Sequence, residues 1–289
     1  MSVIMMEAHV HPTAVMGSDV RLAPDVAVGP YAILEGPIQI GSGTVIEAHA
    51  CLHGPLTIGR DNYIGHGAVL GKAPQHRGYQ GETTSVEIGD RNAFREYVTI
   101  HRGTVEGGSV TRVGHGNMFM VSAHLGHDAQ VGDNCTLVNS ALVGGHAKLY
   151  EGCVLSGHAA VQQRVRVGRL AMLSGLAATS KDVPPFVLQQ GYNCVSGLNL
   201  VGMRRSGMSA AAIDAMRSVF RIVYRDRVSL SNALARAEAE FGEVREVMEF
   251  VRFIGESSTG INPARELHPQ RRVQIPMRPN TAPSLCNDV

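Results

Sequence analysis

Residues 120–149 read MVSAHLGHDAQVGDNCTLVNSALVGGHAKL, with three histidines (His124, His127, His146) and one acid, Asp128, beside the middle one. A neutral imidazole near its ordinary pKa can take a proton from a hydroxyl or an amine. A carboxylate next to it can fix its tautomer. Three imidazoles are also a ligand set for Zn²⁺, and a row of exposed histidines can be plain polar surface. No serine with a matching base presents itself, so direct transfer is simpler than a covalent intermediate. The choice depends on the scaffold that positions these side chains.

That scaffold has a period of six. Counting from Val10, every sixth residue to Leu70 is aliphatic; the pattern returns at Ile88, Phe94 and Ile100, and again from Val113 to Leu173. All 25 of these positions are apolar. The residue four places on is small or β-branched in most cases, as in Ala14, Ala32, Thr44, Ala50 and Ala68. Neither the helical period nor strand alternation explains this. A hexapeptide repeat means a parallel β-helix, in which three hexads make one triangular coil. At about 4.8 Å per coil, 25 hexads give about eight coils and a prism roughly 40 Å tall.

Residues 18 apart then stack in columns. His127, Gly145 and Gln163 share one; Asp128, His146 and Arg164 share the next. Only 125 and 129 should point inward around this turn, so His127 should point outward, displayed on a flat face. Gly145 above it leaves a backbone N–H suited to a developing oxyanion. Read with seven extra residues at 103–112, His101 lies one coil below and one place diagonal to His127, with His146 one coil above.

Two excursions leave the repeat, at 71–87 and 103–112, and ejected loops often carry function. "KDVPPF" closes the repeat, giving a β-helix domain over 1–190. A helical domain is expected over 191–258, with a helix capped by Ser209 and two more near 229–241 and 244–256. Residues 259–289, rich in Pro, Arg and Asn, have little to bury and are expected to form a flexible tail. The 289 residues carry a net charge of +1, which gives no sign of nucleic-acid binding. No apolar run approaches the length of a membrane span. Five cysteines without a CxxC pair fit a reducing compartment, and the cytoplasm is expected.

"HPTA", "IGRDNYIGHGAVLG", "PQHRGYQGE", "EIGDRNAFREYVTIHRGT", "SAHLGHDAQVGDN", "GGHA" and "DVPPFVLQQG" resemble the UDP-N-acetylglucosamine O-acyltransferases of lipid A biosynthesis over about residues 8–257. The resemblance implies a mainly β protein: a left-handed parallel β-helix followed by a C-terminal α-helical domain, assembled as a homotrimer with sites between prisms. It implies transfer of a 3-hydroxyacyl chain from acyl carrier protein to the 3-position of a UDP-sugar, without cofactor or metal. By position, His127 matches the general base, Asp128 its partner and Gly145 the oxyanion N–H. His101, His124, His146, Gln163 and Asn199 match substrate-contacting positions. Arg205 matches an arginine near the nucleotide phosphates, and Gly175 matches the acyl-length ruler. Where the family reads "PQDLKY" this chain reads "PQHRGY": His76 replaces an acid and Gly78 a lysine, both expected near the sugar or acyl carrier, and Gln75 and His76 are expected among the substrate-binding residues. That departure keeps a 3-amino sugar open as the acceptor. An acyl-CoA-dependent sugar N-acetyltransferase, a γ-class carbonic anhydrase-like metal enzyme and a non-catalytic scaffold are the competing readings.

Overall fold

The 25 apolar positions each fall in a short strand, and from Val28 to Leu173 none is more than 4% exposed. They line the axis of a three-sided prism in the computed structural model, which describes residues 8–264. Strands recur on every third side and pair in parallel, so each side is one sheet, with eleven, nine and eight strands. The prism has about ten coils rather than eight. The count from sequence stopped short because the inward residues of the last strands are polar. Thr179 and Gln189 occupy positions in register with Val161 and Leu173, and they are 2% and 0% exposed. The residues four places on from the aliphatics also point inward. Asn62, Asn92 and Asn117 stand there unexpectedly and bond one another up the column at 2.9–3.0 Å, which satisfies buried amides that would otherwise be costly.

The outward rows differ from side to side. The first sheet presents Ala27, Val45, Tyr63, Ala93, Met118 and Val154. The second presents Ile33, Cys51, Val69, His124, Leu142 and Ala160. The third presents Arg21, Gln39, Glu87, Arg112, Gln130 and Lys148.

The sequence boundaries shift. Val195–Leu198 is a strand, antiparallel to Val187–Gln189, so the helical region starts at Leu200 and not at 191. A short helix α1 (Leu200–Arg205), absent from the sequence reading, precedes α2 (Ala210–Tyr224), α3 (Leu230–Phe241) and α4 (Arg245–Gly255). Ser209 caps α2 as expected, accepting from Ala212 N–H at 3.1 Å. Residues 259–264 do not form a loose tail. Asn262 is fully buried and donates to Thr179 Oγ1 (3.0 Å) and Gln189 Oε1 (2.9 Å), so the returning chain satisfies the polar top of the prism. The rest of the expected tail lies outside the described residues.

Candidate active site

His127 lies at the corner between the second and third sheets, after the strand His124–Leu125 and before Gln130–Val131. The column from sequence holds: Asp128, His146 and Arg164 occupy this corner with φ of 61°, 58° and 66°. His146 N–H donates to His127 O and Arg164 N–H to Gly145 O, both at 2.9 Å. His127 points outward, but into a recess and not onto a flat face; its side chain is 13% exposed.

Asp128 is the fixed point of the site. Its side chain is 0% exposed. Oδ1 accepts Thr104 N–H (2.8 Å); Oδ2 accepts the Thr104 hydroxyl (2.7 Å) and faces His127 Nδ1 at 2.7 Å. A carboxylate oxygen accepts hydrogen bonds, so the 2.7 Å contact places the proton on Nδ1 of His127 and leaves the Nε2 lone pair facing outward. Above Nε2 lies Gly145, where a β-carbon would come within 2.7 Å of that nitrogen. Gly145 N–H donates to no acceptor among the described residues.

The sequence reading missed the part played by the motif "IHRGT", whose residues join both excursions to this centre. His101 Nδ1 donates to Ala73 O (2.6 Å). Arg102 donates to Gly54 O (2.6 Å) and to the Tyr79 hydroxyl (3.0 Å), which clamps the 71–87 excursion to the prism. A β-carbon at Gly103 would sit 2.8 Å from Asp128 Oδ1, and one at Gly107 would overlap the Asp128 carboxylate. The 103–112 excursion is thus a cage over Asp128, closed by Thr104. The signal was present in the sequence as Gly103–Thr104 at the point where the period breaks.

The expected line of histidines resolves into two groups. His76, exposed on the 71–87 excursion, packs against His127 (ring centroids 5.4 Å), and His127 packs against His146 (5.1 Å). His101 and His124 form a separate pair at 5.4 Å, with His124 Nδ1 bonded to Thr99 Oγ1 at 2.8 Å. Burial holds His124 and His146 below the ordinary imidazole pKa; Asp128 pulls His146 the other way and Arg164 adds to the depression. Gln163 is exposed one coil above Gly145, and Gln75 is exposed beside His76.

The remaining positions are not brought to His127 within this chain. Asn199 caps α1 through Gly202 N–H (3.0 Å) and donates to Leu170 O (2.8 Å). Arg205 is exposed at the end of α1. Gly175 lies above Gly157 at the corner between the first and second sheets, where a β-carbon would meet only Gly157 O, at 3.7 Å.

Known proteins share this arrangement of chain. The family model "Udp N-acetylglucosamine O-acyltransferase; Domain 2" matches residues 182–262. The acyl-[acyl-carrier-protein]--UDP-N-acetylglucosamine O-acyltransferase of Paraburkholderia phymatum is 46% identical over 259 residues, covering 88% of this chain and 99% of the relative. That of Anaeromyxobacter dehalogenans is 40% identical over 253 residues, covering 87% and 98%. Among solved structures, the Moraxella catarrhalis UDP-N-acetylglucosamine O-acyltransferase superposes with a TM-score of 0.83 at 35% identity, covering 88% of this chain and 99% of that one. The Francisella novicida UDP-N-acetylglucosamine acyltransferase gives 0.85 at 29%, covering 89% and 95%. With identity at this level along nearly the whole of each relative, and a β-helix and helical tail that superpose on theirs, the chain belongs to the UDP-N-acetylglucosamine O-acyltransferase family.

Proposed function

We propose that this chain transfers a 3-hydroxyacyl group from acyl carrier protein to the 3-hydroxyl of UDP-N-acetylglucosamine. The observation that carries the reading is the outward-facing Nε2 of His127, with its tautomer set by a buried Asp128 and the Gly145 N–H above it. In this mechanism Nε2 takes the hydroxyl proton as the sugar oxygen attacks the thioester carbonyl. The oxyanion accepts from Gly145 N–H. Collapse breaks the carbon–sulfur bond, and the proton on Nε2 passes to the departing thiolate of the phosphopantetheine arm. The electron pair of that bond leaves with sulfur, so neither redox nor metal chemistry enters. His101, His124, His146 and Gln163 surround the sugar and acyl chain, while Asn199 and Arg205 reach the site from a neighbouring copy of the chain. Gly175, with no side chain to close the channel, leaves room for a long acyl chain.

Amide formation on the 3-amino analogue is the second reading, and it is favoured by the imidazole of His76 packed against His127. A neutral imidazole accepts a hydrogen bond without requiring a charged acceptor group. The test is mass spectrometry of products from a mixture of acyl carrier proteins with both UDP-sugars. An O-acylated product bearing a 3-hydroxyacyl chain is expected. A preference for the amine replaces the first reading with the second, and no acyl transfer to either sugar overturns both. His127→Ala is expected to lose 10²–10⁴-fold in kcat, in line with positioned acid–base catalysis of about that size.

A further inference from the structure

We propose that His76 is a positioning residue: its imidazole, seated on Gly78, braces the ring of His127 and keeps Nε2 aimed at the acceptor. The contact between Nδ1 and Asp128 Oδ2 fixes one edge of the His127 ring, at 2.7 Å. A ring held at one edge can still swing about that contact. Two further rings stand beside it. The His146 centroid lies 5.1 Å away at an interplanar angle of 86°, and the His76 centroid 5.4 Å away at 62°. Both are edge-to-face arrangements, a geometry in which aromatic rings attract. His146 belongs to the prism itself. His76 belongs to the 71–87 excursion, so the second brace exists only because that excursion folds back over the site.

The excursion is tied down on both sides of His76. His101 Nδ1 donates to Ala73 O at 2.6 Å, and Arg102 donates to the Tyr79 hydroxyl at 3.0 Å. Tyr79 N–H in turn donates to His76 O at 3.1 Å, which closes a tight turn through Arg77 and Gly78. Gly78 makes the seat. Its φ lies outside the left-handed region, so backbone conformation does not demand glycine there. Space does. A β-carbon at 78 would meet the His76 ring, 3.1 Å from Cε1 and 3.3 Å from Nδ1, and beyond its chain neighbours nothing else within 4 Å. Residue 78 is exposed, so a larger side chain has solvent on its other sides and conflicts with the imidazole alone. The two positions at which this excursion departs from the family pattern, His76 and Gly78, are therefore in contact and form one unit.

The brace is independent of the acyltransferase reading; only its effect on rate rests on that reading. Full-length protein with ¹³C-labelled histidine rings is compared by NMR, the His127 signal being the one lost in His127→Ala. That signal should move in His76→Ala and in Gly78→Ala. It should stay in place in His115→Ala, because His115 stands 3.6 Å from Asp90 at another corner. In acyl-transfer assays His76→Ala should lower kcat about two- to ten-fold with little change in KM, the size of one edge-to-face pair. His76→Phe should restore most of the loss. Gly78→Ala should lower kcat by itself and have no further effect in the His76→Ala background, since it acts only through the ring. A His127 signal unmoved by His76→Ala overturns the brace. A change confined to KM, a His76→Phe no better than His76→Ala, or a Gly78→Ala loss that persists without the ring overturns the positioning role. A wild-type protein that transfers no acyl group to either sugar while its His127 signal still answers to His76→Ala leaves the brace standing and overturns the functional reading instead.

Discussion

At the scale of single residues, the site depends on two positions that supply no reacting atom. Gly145 is one. A methyl group there would lie 2.7 Å from His127 Nε2 and 2.8 Å from Cε1, so Gly145→Ala crowds the face of the base and pushes the His127 ring from its place. Activity is expected to fall by two orders of magnitude or more, comparable with removing the base itself, while the circular dichroism spectrum and melting temperature stay near wild type. Turnover within a few-fold of wild type would mean that Nε2 is not the reacting atom. Thr104 is the other. Its hydroxyl is one of three donors on a carboxylate with no access to water. Hydrogen bonds to charged groups contribute about 1.5–3 kcal/mol. If that stabilisation is felt when His127 becomes cationic, Thr104→Val lowers kcat about ten-fold or more with little change in KM, and Thr104→Ser restores it. Steady-state kinetics on both variants settle the matter; equal losses in Val and Ser would assign Thr104 to packing alone.

At the scale of elements, the prism was legible because each coil repeats one steric demand. An apolar side chain must fill the axis at each hexad, and those of Val28–Leu173 do so outside the two excursions. The column of Asp128, His146 and Arg164 followed from that count. What stayed illegible is aperiodic or distant in sequence. Thr104 meets Asp128 across 24 residues through an excursion with no repeat. Thr179 and Gln189 break the apolar pattern because their partner, Asn262, lies 83 and 73 residues away. Arg102's clamp on Tyr79 depends likewise on a loop that the period cannot place. The second sheet and its corners also carry a pH dependence. His53, His124 and His146 all have pKa values pushed below the ordinary imidazole value, each by burial first. A base with a depressed folded-state pKa binds fewer protons folded than unfolded, so stability falls as pH drops through the unfolded value near 6.5 and levels off below the folded one. The melting temperature is expected to decline between about pH 7 and pH 5, and to decline less steeply in His124→Asn. Parallel melting curves in wild type and variant across that window would remove His124 from the account.

At the scale of the whole molecule, the three sides of the prism are unequal. The outward rows of the first and second sheets are largely aliphatic, with Val45 and Leu142 at 39% and 48% exposure, while that of the third carries Arg112, Gln130 and Lys148. A three-sided prism with two apolar sides and one polar side is expected to pack as one of three around an axis, which would turn the corner between the first and second sheets inward and put His127, at the edge of the second sheet, at the rim of a contact with a neighbour. Closed cyclic symmetry would satisfy every copy in the same way. A charge placed in the covered row should break the assembly, because an unpaired ion would have to be desolvated. Leu142→Glu is therefore expected to reduce the mass in light scattering from three times the 30.9 kDa chain toward one, and to lower acyl transfer with it. Gln130→Glu, on the third side, should leave both unchanged. A full-mass trimer in Leu142→Glu, or equal disruption by Gln130→Glu, would show that the apolar rows are not what the copies bury.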